Sequence, residues 1–475
     1  MERFISKSLL DKSIFSSNIK ILSAAVPIKL IGDFQRKFKA LLLKMPAVRN
    51  VVSIKDDKTQ KLLLLDKVFG TDTDSLPEDL QKFLKEKEIL IEEKQLSIGY
   101  DNMTSYEALE KVLPKDVIIP TGFESVGHIA HMNLNEEQMP YKYDIGQIFL
   151  DKSHGIKTVL TKVGHIENTY RTFNFEVLAG EETFGTTQNE DGIKFDVDIS
   201  KVYWCSRLSQ ERSRVIEEFF KPGDVVCDMF CGIGPLSIRA AKEKGIKVLA
   251  NDLNPDCYHY LRRNIVQNKV ADFVLPFCMD GREFAKHCVQ ESNNKDVLNK
   301  EEEKKESVDS KSMKKRKNPY QKEEEAKLVP ETEIITPFKD RSFLHFDHVY
   351  MNLPMDAVEF LDAFIGVFKD ANPDVWIRDD KPKGIDKGQG LPLIHVYGFT
   401  TENQDKDKAK EFFTQRIAEV FKECGGFTGD KILRIHNNRD VSRVSSMYCI
   451  TFRLPEEVAY YNPHKRQKIE EKEEE

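Results

Sequence analysis

In the second half of this chain, short unbroken apolar runs alternate with segments of helical periodicity. The runs lie near 224–229, 247–251, 273–278, 346–351 and 392–397, and the amphipathic stretches near 235–244, 255–267, 281–288, 355–368 and 405–422. Such alternation predicts a parallel sheet with helices on both faces. Two further strand-like runs, near 430–436 and 446–453, flank a polar turn and predict a closing antiparallel hairpin. Upstream the pattern changes. Gly127–Leu134, Thr158–Val163 and Phe173–Val177 read as short strands interrupted by a helical patch near 141–150. This predicts a separate α+β domain over 120–200. Residues 18–60 read as a small basic α/β module, 60–75 as a linker, and 76–113 as helical.

Composition then fills in what lies between these elements. The chain has 475 residues, 40% hydrophobic and 32% charged. That is enough for two or three domains with cores of their own. No apolar run approaches the ~20 residues that span a bilayer. Residues 291–340 carry runs such as Lys300–Glu306, Lys314–Lys317 and Glu323–Glu325 and read as a disordered insertion. The predicted organisation is therefore 1–60, a basic module; 61–119, linker and helix; 120–200, an α+β domain; 201–455, an α/β domain interrupted at 291–340; and 456–475, a charged tail. The eight cysteines, at 205, 227, 231, 257, 278, 288, 424 and 449, form no Cys-x-x-Cys pair. They read as reduced core residues, and no metal is expected. His128 and His131 have ligand-like spacing but no companions, so core roles suit them better.

Net charge is −7, unevenly spread. Residues 1–60 hold twelve Lys/Arg against five acids, giving +7 there and −14 elsewhere. A basic end on an acidic chain suits either a polyanion or a solvated surface. Arg3, Lys7, Lys12 and Lys20 among serines resemble a mitochondrial presequence, against which Glu2 and Asp11 count. The tetrapeptide 314–317 fits a nuclear signal or a solvated charge run. These signals give an expected location in cytoplasm and mitochondrial matrix, with the nucleus as an addition.

The densest chemical signal is Val225–Pro235 with Ala250–Pro255. An apolar strand ends at Asp228 and enters a turn holding Phe230, Gly232 and Gly234. A helix and a second strand follow, ending at Asp252, 24 positions after Asp228. A carboxylate at that strand tip suits the two hydroxyls of a ribose, and the glycines let a ligand approach backbone. A dinucleotide fingerprint wants a third small residue where Ser237 stands, and Pro235 removes an N–H that would hold a phosphate. A nucleoside without phosphates fits better, and S-adenosylmethionine is the obvious one. Asp280, after the third strand, fits two roles: acceptor for an adenine amino group, or N-cap of the next helix. Asn352-Leu353-Pro354 ends the fourth strand, where an amide can read the edge of a base. Tyr203–Arg212 reads either as a linker entering a helix or as part of a pocket.

Taken together, Tyr-x-x-Ser-Arg-Leu-x-x-Glu at 203–211, Asp-Met-Phe-x-Gly-x-Gly-Pro, Asn-Asp-Leu-Asn-Pro and Met-Asn-Leu-Pro resemble the archaeal–eukaryotic tRNA (guanine-N1)-methyltransferase family, which modifies guanine 37 beside the anticodon. The likeness includes Gly127–His131, Tyr170–Phe173 and Val177–Gly180, and covers roughly 120–290 and 343–453. It implies a Rossmann-like class I S-adenosylmethionine-dependent methyltransferase domain behind N-terminal α+β RNA-binding domains, acting as a monomer on tRNA with guanine at position 37. It also implies roles. Glu211 would take the guanine N1 proton, Arg171 would stabilise charge developing toward O6, and Asn352 would hold the flipped base. Tyr203 and Arg207 would line the substrate pocket. Asp228, Phe230, Gly232, Gly234, Asp252, Leu253, Asp280 and Gly281, with Asn352, would contact the cofactor. The basic module, including Lys29, Arg36, Lys37 and Lys39, would meet the tRNA. Competing readings are an aminocarboxypropyl transferase acting on a tricyclic guanine derivative at the same position, a non-catalytic tRNA-binding protein, and a nicotinamide dehydrogenase.

Overall fold

The structure is a computed structural model that describes residues 8, 10–55, 57–164, 170, 172–290, 345–371, 390–401, 405–442 and 445–463, with the backbone of 4–6 and 291–292. Arg171, residues 293–340 of the predicted insertion and the end of the charged tail lie outside the described residues. Two compact units emerge, Met1–Val163 with Asn174–Thr183, and Gly164–Phe173 with Phe184–Glu475.

The first unit holds strands β1 (Phe4–Ser6), β2 (Ser17–Pro27), β3 (Val51–Ser53), β4 (Gln60–Leu64), β5 (Leu90–Ile98), β6 (Glu124–Val126), β7 (Ile129–Met132), β8 (Thr158–Val163) and β9 (Asn174–Glu181), with helices α1 (Ile31–Phe38), α2 (Glu78–Glu86), α3 (Ser105–Val112) and α4 (Lys142–Lys152). They form two sheets, β3-β4-β2-β5 and β1-β9-β8-β7-β6. The expected linker at 60–75 is thereby corrected. Leu62, Leu63, Leu64 and Leu65 are all buried, and β4 pairs with both β2 and β3. The expected helical stretch 76–113 also contains β5, which pairs with β2 along nine residues. Its alternating exposure, with Glu92, Glu93 and Lys94 among apolar positions, hid a half-buried edge strand. The strand expected at 127–134 begins only at Ile129, because Gly127 turns left-handed (φ 54°) between β6 and β7.

The second unit holds β10 (Gly185–Glu190), β11 (Ile193–Asp198), β12 (Val225–Asp228), β13 (Lys247–Asn251), β14 (Val274–Phe277), β15 (His348–Met351), β16 (Leu393–Thr400), β17 (Ile432–Ser442) and β18 (Ser445–Arg453). Its helices are α5 (Ser209–Phe219), α6 (Pro235–Lys244), α7 (Pro255–Gln267), α8 (Gly281–Ser292), α9 (Lys406–Val420) and α10 (Glu456–Ala459). A seven-stranded sheet runs β14-β13-β12-β15-β16-β18-β17. The first five strands in that order are parallel, and β18 and β17 add the predicted antiparallel hairpin. β12 reads as an unbroken apolar run because all four residues are buried.

Three expectations are corrected here. Residues 355–368 make a 3₁₀ helix at 359–364 rather than an α-helix. Gly366 then turns left-handed (φ 65°), its N–H bonds to Val458 O at 2.8 Å, and a Cβ there would come 2.5 Å from Tyr461 O. The charged tail expected from 456 starts instead as α10, with Val458 and Ala459 in the core. The α+β domain expected to end at 200 ends earlier, since the β10–β11 hairpin belongs to the second unit. Asn264 of α7 and Asn268, the residue that caps its C-terminal end, lie one turn apart and dock that hairpin. Asn264 bonds the N–H (2.7 Å) and carbonyl (3.2 Å) of Asp196, and Asn268 those of Lys194 (3.1 and 2.7 Å). The two amides stand in for a neighbouring strand along the edge of β11.

The two faces of the central strands differ in chemistry. Val349 and Met351 of β15, Ile394 and Val396 of β16, and Ile450 and Phe452 of β18 share one core with Phe284 of α8, Phe364 and Phe413 of α9. By the period-2 alternation of strands, the opposite face carries His348 and Tyr350, His395 and Tyr397, Cys449 and Thr451. On that face Asp224, His348, His395 and Thr451 form a buried chain with contacts of 3.1, 3.1 and 3.0 Å. Burial first, then the neighbouring His348 and Arg214, hold His395 well below the usual imidazole range.

Candidate active site

The carboxyl ends of β12, β13, β14 and β15 form one edge of the sheet, and the predicted residues gather there. Asp228 ends β12 fully buried and accepts from Ser237 Oγ at 2.7 Å. The residue that broke the dinucleotide fingerprint is thus the partner of the strand-end acid. Burial pushes the Asp228 carboxyl up to about 7, with the charge of Asp252 adding and the bonds from Ser237 and the Phe230 N–H opposing. Gly234 is left-handed (φ 90°), and a Cβ on it would lie 2.5 Å from Leu261 Cδ1. Pro235 follows as the first residue of α6. Asp252 accepts the Gly232 N–H at 2.8 Å and the Asn254 N–H at 2.9 Å, and a bond from Cys257. A carboxylate offers about four acceptor sites, so capacity remains for a ribose hydroxyl. Burial raises the Asp252 carboxyl, and the backbone bonds partly offset it.

Asn251, which the sequence reading left without a role, staples this edge. It donates to Met229 O (3.2 Å) and Met279 O (3.0 Å) and accepts the Met279 N–H (3.0 Å), joining the ends of three strands. Leu253 beside it is exposed. Asp280 accepts the Arg282 and Glu283 N–H groups through Oδ1 (2.9 and 3.4 Å), so it does act as an N-cap, and Oδ2 takes no part in those bonds. Gly281 faces an edge-to-face pair, Phe230 and Phe360, with ring centres 5.0 Å apart. A Cβ on it would approach Phe230 Cε1 to 3.0 Å and Phe360 to 3.3 Å. Backbone cradle, ribose-type acid and aromatic wall together fit a flat nucleoside carrying positive charge.

The target side is built by α5 and the polar face of the sheet. Glu211 lies in the first turn of α5, with its side chain only 2% exposed. Arg214 holds it through two bonds of 2.7 Å, and Tyr397 Oη donates to its Oε1 at 2.7 Å. One Oε2 lone pair stays uncommitted by these bonds, and His436 Nε2 stands 3.7 Å from that oxygen. Arg212, next in the helix, is buried, and its Nη2 donates to both carboxylate oxygens of Glu190 of β10 (2.8 and 2.7 Å), which also draws in Arg239 of α6 (3.6 Å). This ion network fixes the first turn of α5, the turn that carries Glu211. Asn352 follows β15, and its Nδ2 donates to Tyr350 Oη at 3.2 Å. Its Oδ1 is buried with no partner among the described residues. Tyr203 is exposed, its ring 6.5 Å from that of Phe173, and Arg207 is exposed in the 3₁₀ turn before α5.

The structure thus brings Asp228, Phe230, Gly232, Gly234, Asp252, Leu253, Asp280, Gly281 and Asn352 to one edge and connects Glu211 to it. Sequence reasoning missed Arg214, Tyr350, Tyr397 and Asn251. Arg214 was findable as the i+3 partner of Glu211 on a helix. Among the described residues no group of His, Cys, Asp and Glu could hold a metal, and no helix is long and apolar enough to cross a membrane.

A parallel sheet closed by an antiparallel hairpin, with this nucleoside edge, defines a Rossmann-like S-adenosylmethionine-dependent methyltransferase. The sequence pattern of the TRM5/TYW2 methyltransferase domain matches residues 186–318, and that of the TYW2 N-terminal domain matches 106–183. Over 460 residues the chain is 35% identical to the tRNA (guanine(37)-N(1))-methyltransferase of Batrachochytrium dendrobatidis, covering 96% of this chain and 90% of that protein. It is 36% identical to the one from Schizosaccharomyces pombe, at 96% and 95% coverage. The crystal structure of Trm5b from Pyrococcus abyssi is similar at 25% identity, TM-score 0.52, with 91% and 99% of the two chains covered. The chain belongs to the tRNA (guanine(37)-N(1))-methyltransferase family.

Proposed function

We propose that this chain transfers the methyl group of S-adenosylmethionine to N1 of guanine 37 in tRNA, with Glu211 as the base. The observation that carries this reading is a buried carboxylate, Glu211, linked to the same sheet edge as an unsatisfied buried acceptor, Asn352 Oδ1. Guanine N1 bears a proton at neutral pH, so its lone pair is unavailable until a base removes that proton. The cofactor supplies a methyl group already activated by its sulfonium, so the reaction calls for no metal. Gly232, Gly234, Asp252, Asp280 and Gly281 would hold it.

Glu211 receives the N1 proton on Oε2, the oxygen with a lone pair to spare, while Arg214 keeps the carboxylate oriented. Asn352 Oδ1 accepts from the donor edge of guanine, which presents N1–H and an amino group; adenine presents an acceptor at N1 and would leave Oδ1 unpaired. Arg171 would stabilise the charge that develops toward O6. A base beside the anticodon lies in a loop and leaves its stack at low cost. The enzyme is proposed to work as a monomer. Glu211→Gln tests the assignment: it should lower single-turnover methylation by about 10²–10⁴-fold at unchanged cofactor affinity. Turnover equal to wild type would remove Glu211 from the mechanism.

A further inference from the structure

One short stretch of chain serves both halves of this site. Asn352, at its start, offers an amide oxygen to the target base, and Phe360, eight positions on, stands in the aromatic wall beside the cofactor. The stretch leaves β15 and turns at Leu353, whose carbonyl accepts the N–H groups of Asp356 (2.9 Å) and Ala357 (2.8 Å). It then enters the 3₁₀ helix at 359–364. Ala357, Val358, Leu361 and Phe364 sink its apolar side into the core, while Met355 at the turn is exposed.

Two arginines from neighbouring helices grip the polar side of the stretch at different points. Arg416 of α9 forks onto Glu359, with Nε to Oε1 at 2.8 Å and Nη2 to Oε2 at 2.7 Å. Its Nη2 also donates to the Met355 carbonyl at 2.9 Å. A guanidinium carries five donors in one rigid plane, so a single side chain ties the turn to the start of the 3₁₀ helix. Arg282 of α8 donates from Nε to both oxygens of Asp362 (2.7 and 3.0 Å), and its guanidinium lies 4.0 Å from the centre of the Phe360 ring. The backbone N–H of Arg282 is itself held by Asp280 at 2.9 Å. The wall is therefore layered: guanidinium, Phe360, then Phe230 edge to face. A lone exposed ion pair would do little. Here each guanidinium makes a second contact, and that contact falls on the segment that builds the site.

We propose that Arg416 and Arg282 are positioning residues that hold one segment for two tasks: Arg416 fixes the turn that aims Asn352 at the target base, and Arg282 fixes Phe360 against the cofactor. The inference rests on the reading of this edge as a cofactor site beside a guanine pocket. The two grips are separable, because Arg416 acts at Met355 and Glu359 and Arg282 at Phe360 and Asp362. Displacing Asn352 slows the chemistry while the cofactor stays bound. Removing the cation from the Phe360 face slackens the wall and weakens the cofactor's hold.

The test compares Arg416→Gln and Arg282→Gln in the full-length protein, with Lys422→Gln as a control that removes an ion pair to Glu419 (2.8 Å) past the end of α9. Three quantities are read: the Kd for S-adenosylmethionine without tRNA, single-turnover methylation of tRNA at saturating cofactor, and hydrogen exchange of the Asp356 and Ala357 amides without tRNA. Arg416→Gln should slow methylation about tenfold and speed exchange at 356–357, with the cofactor Kd unchanged. Arg282→Gln should raise the cofactor Kd about fivefold and leave exchange at 356–357 as in wild type. The control should match wild type in all three. A variant that leaves its own end unchanged would overturn the proposal. So would two variants that move Kd and exchange alike, since general loosening does that. Wild-type protein that fails to methylate guanine N1 would instead overturn the reading of the pocket. Cofactor titration and hydrogen exchange need no tRNA and would still decide the two grips.

Discussion

Charge at single residues is where this site departs most from an open pocket. Glu211 is enclosed by Arg214, Tyr397 and, more loosely, His436. A carboxylate so held is ordered before substrate arrives, and its reactive lone pair has one direction to face. Asp228 is the other buried acid, pushed up to about 7 by burial first and by Asp252 second. The sign of its effect follows. Its folded value lies above the unfolded one, so its contribution to stability is complete below about 4 and is lost as pH rises through about 7. Asp228→Asn removes that dependence and keeps an acceptor for Ser237. Between pH 5 and pH 8, wild type should lose about 2–4 kcal/mol relative to the variant in denaturant unfolding. Parallel curves would show that Asp228 is ionised throughout. Among single residues, the strand-end acids and turn glycines were legible because their spacing is local. Tyr397 was not: it meets a partner 186 positions away, and tyrosine in an apolar strand has no polar signature.

Elements were legible where burial is complete and ambiguous where it is partial. β12, β13 and β15 are covered on both faces and read as unbroken apolar runs. β5 is half exposed and carries Glu92, Glu93 and Lys94, a polar content that its sequence shares with an exposed helix. The 359–364 turn carries enough apolar positions for a helix, and only Gly366 at positive φ, tied to Val458, ends it. The turn between β12 and α6 offers a contrast between two glycines. Gly234→Ala would place a methyl 2.5 Å from Leu261 Cδ1 and 3.0 Å from Ile238 Cδ1 at φ 90°. It should cost about 2–4 kcal/mol and weaken cofactor binding. Gly232 has φ 57° but nothing within 4 Å, so Gly232→Ala should cost only about 1 kcal/mol. Thermal unfolding and cofactor titration of both variants check the difference; equal losses would mean that the Leu261 contact relaxes freely. At the hairpin docked on α7, Asn264→Ala leaves the backbone N–H and carbonyl of Asp196 without these partners and should cost about 1–3 kcal/mol.

For the whole molecule, the question is how a cofactor edge in one unit comes to act on a large polyanion. The first unit offers a basic face. In α1, Phe34 and Phe38 are buried while Arg36 and Lys37 are exposed, with Lys29 and Lys39 exposed at its two ends. The charge excess legible at 1–60 thus has a specific carrier. The boundary read there does not hold, because β2 of that segment pairs with β4 and β5 downstream. Substitution therefore tests the face better than deletion. Changing Lys29, Arg36, Lys37 and Lys39 together to alanine should raise the KM for tRNA about tenfold or more at moderate salt and flatten its salt dependence, with cofactor affinity unchanged. An unaltered salt slope would place the tRNA contacts elsewhere.

The reaction is tested most directly by the nucleosides released from unmodified tRNA after incubation with this protein and S-adenosylmethionine. Mass spectrometry should find one new nucleoside, 1-methylguanosine, about 14 Da heavier than guanosine, as a methyl group in place of hydrogen requires. It should vanish when position 37 is no longer guanine. An aminocarboxypropyl product, a methyl group on another atom, or methylation that persists without guanine 37 would contradict it.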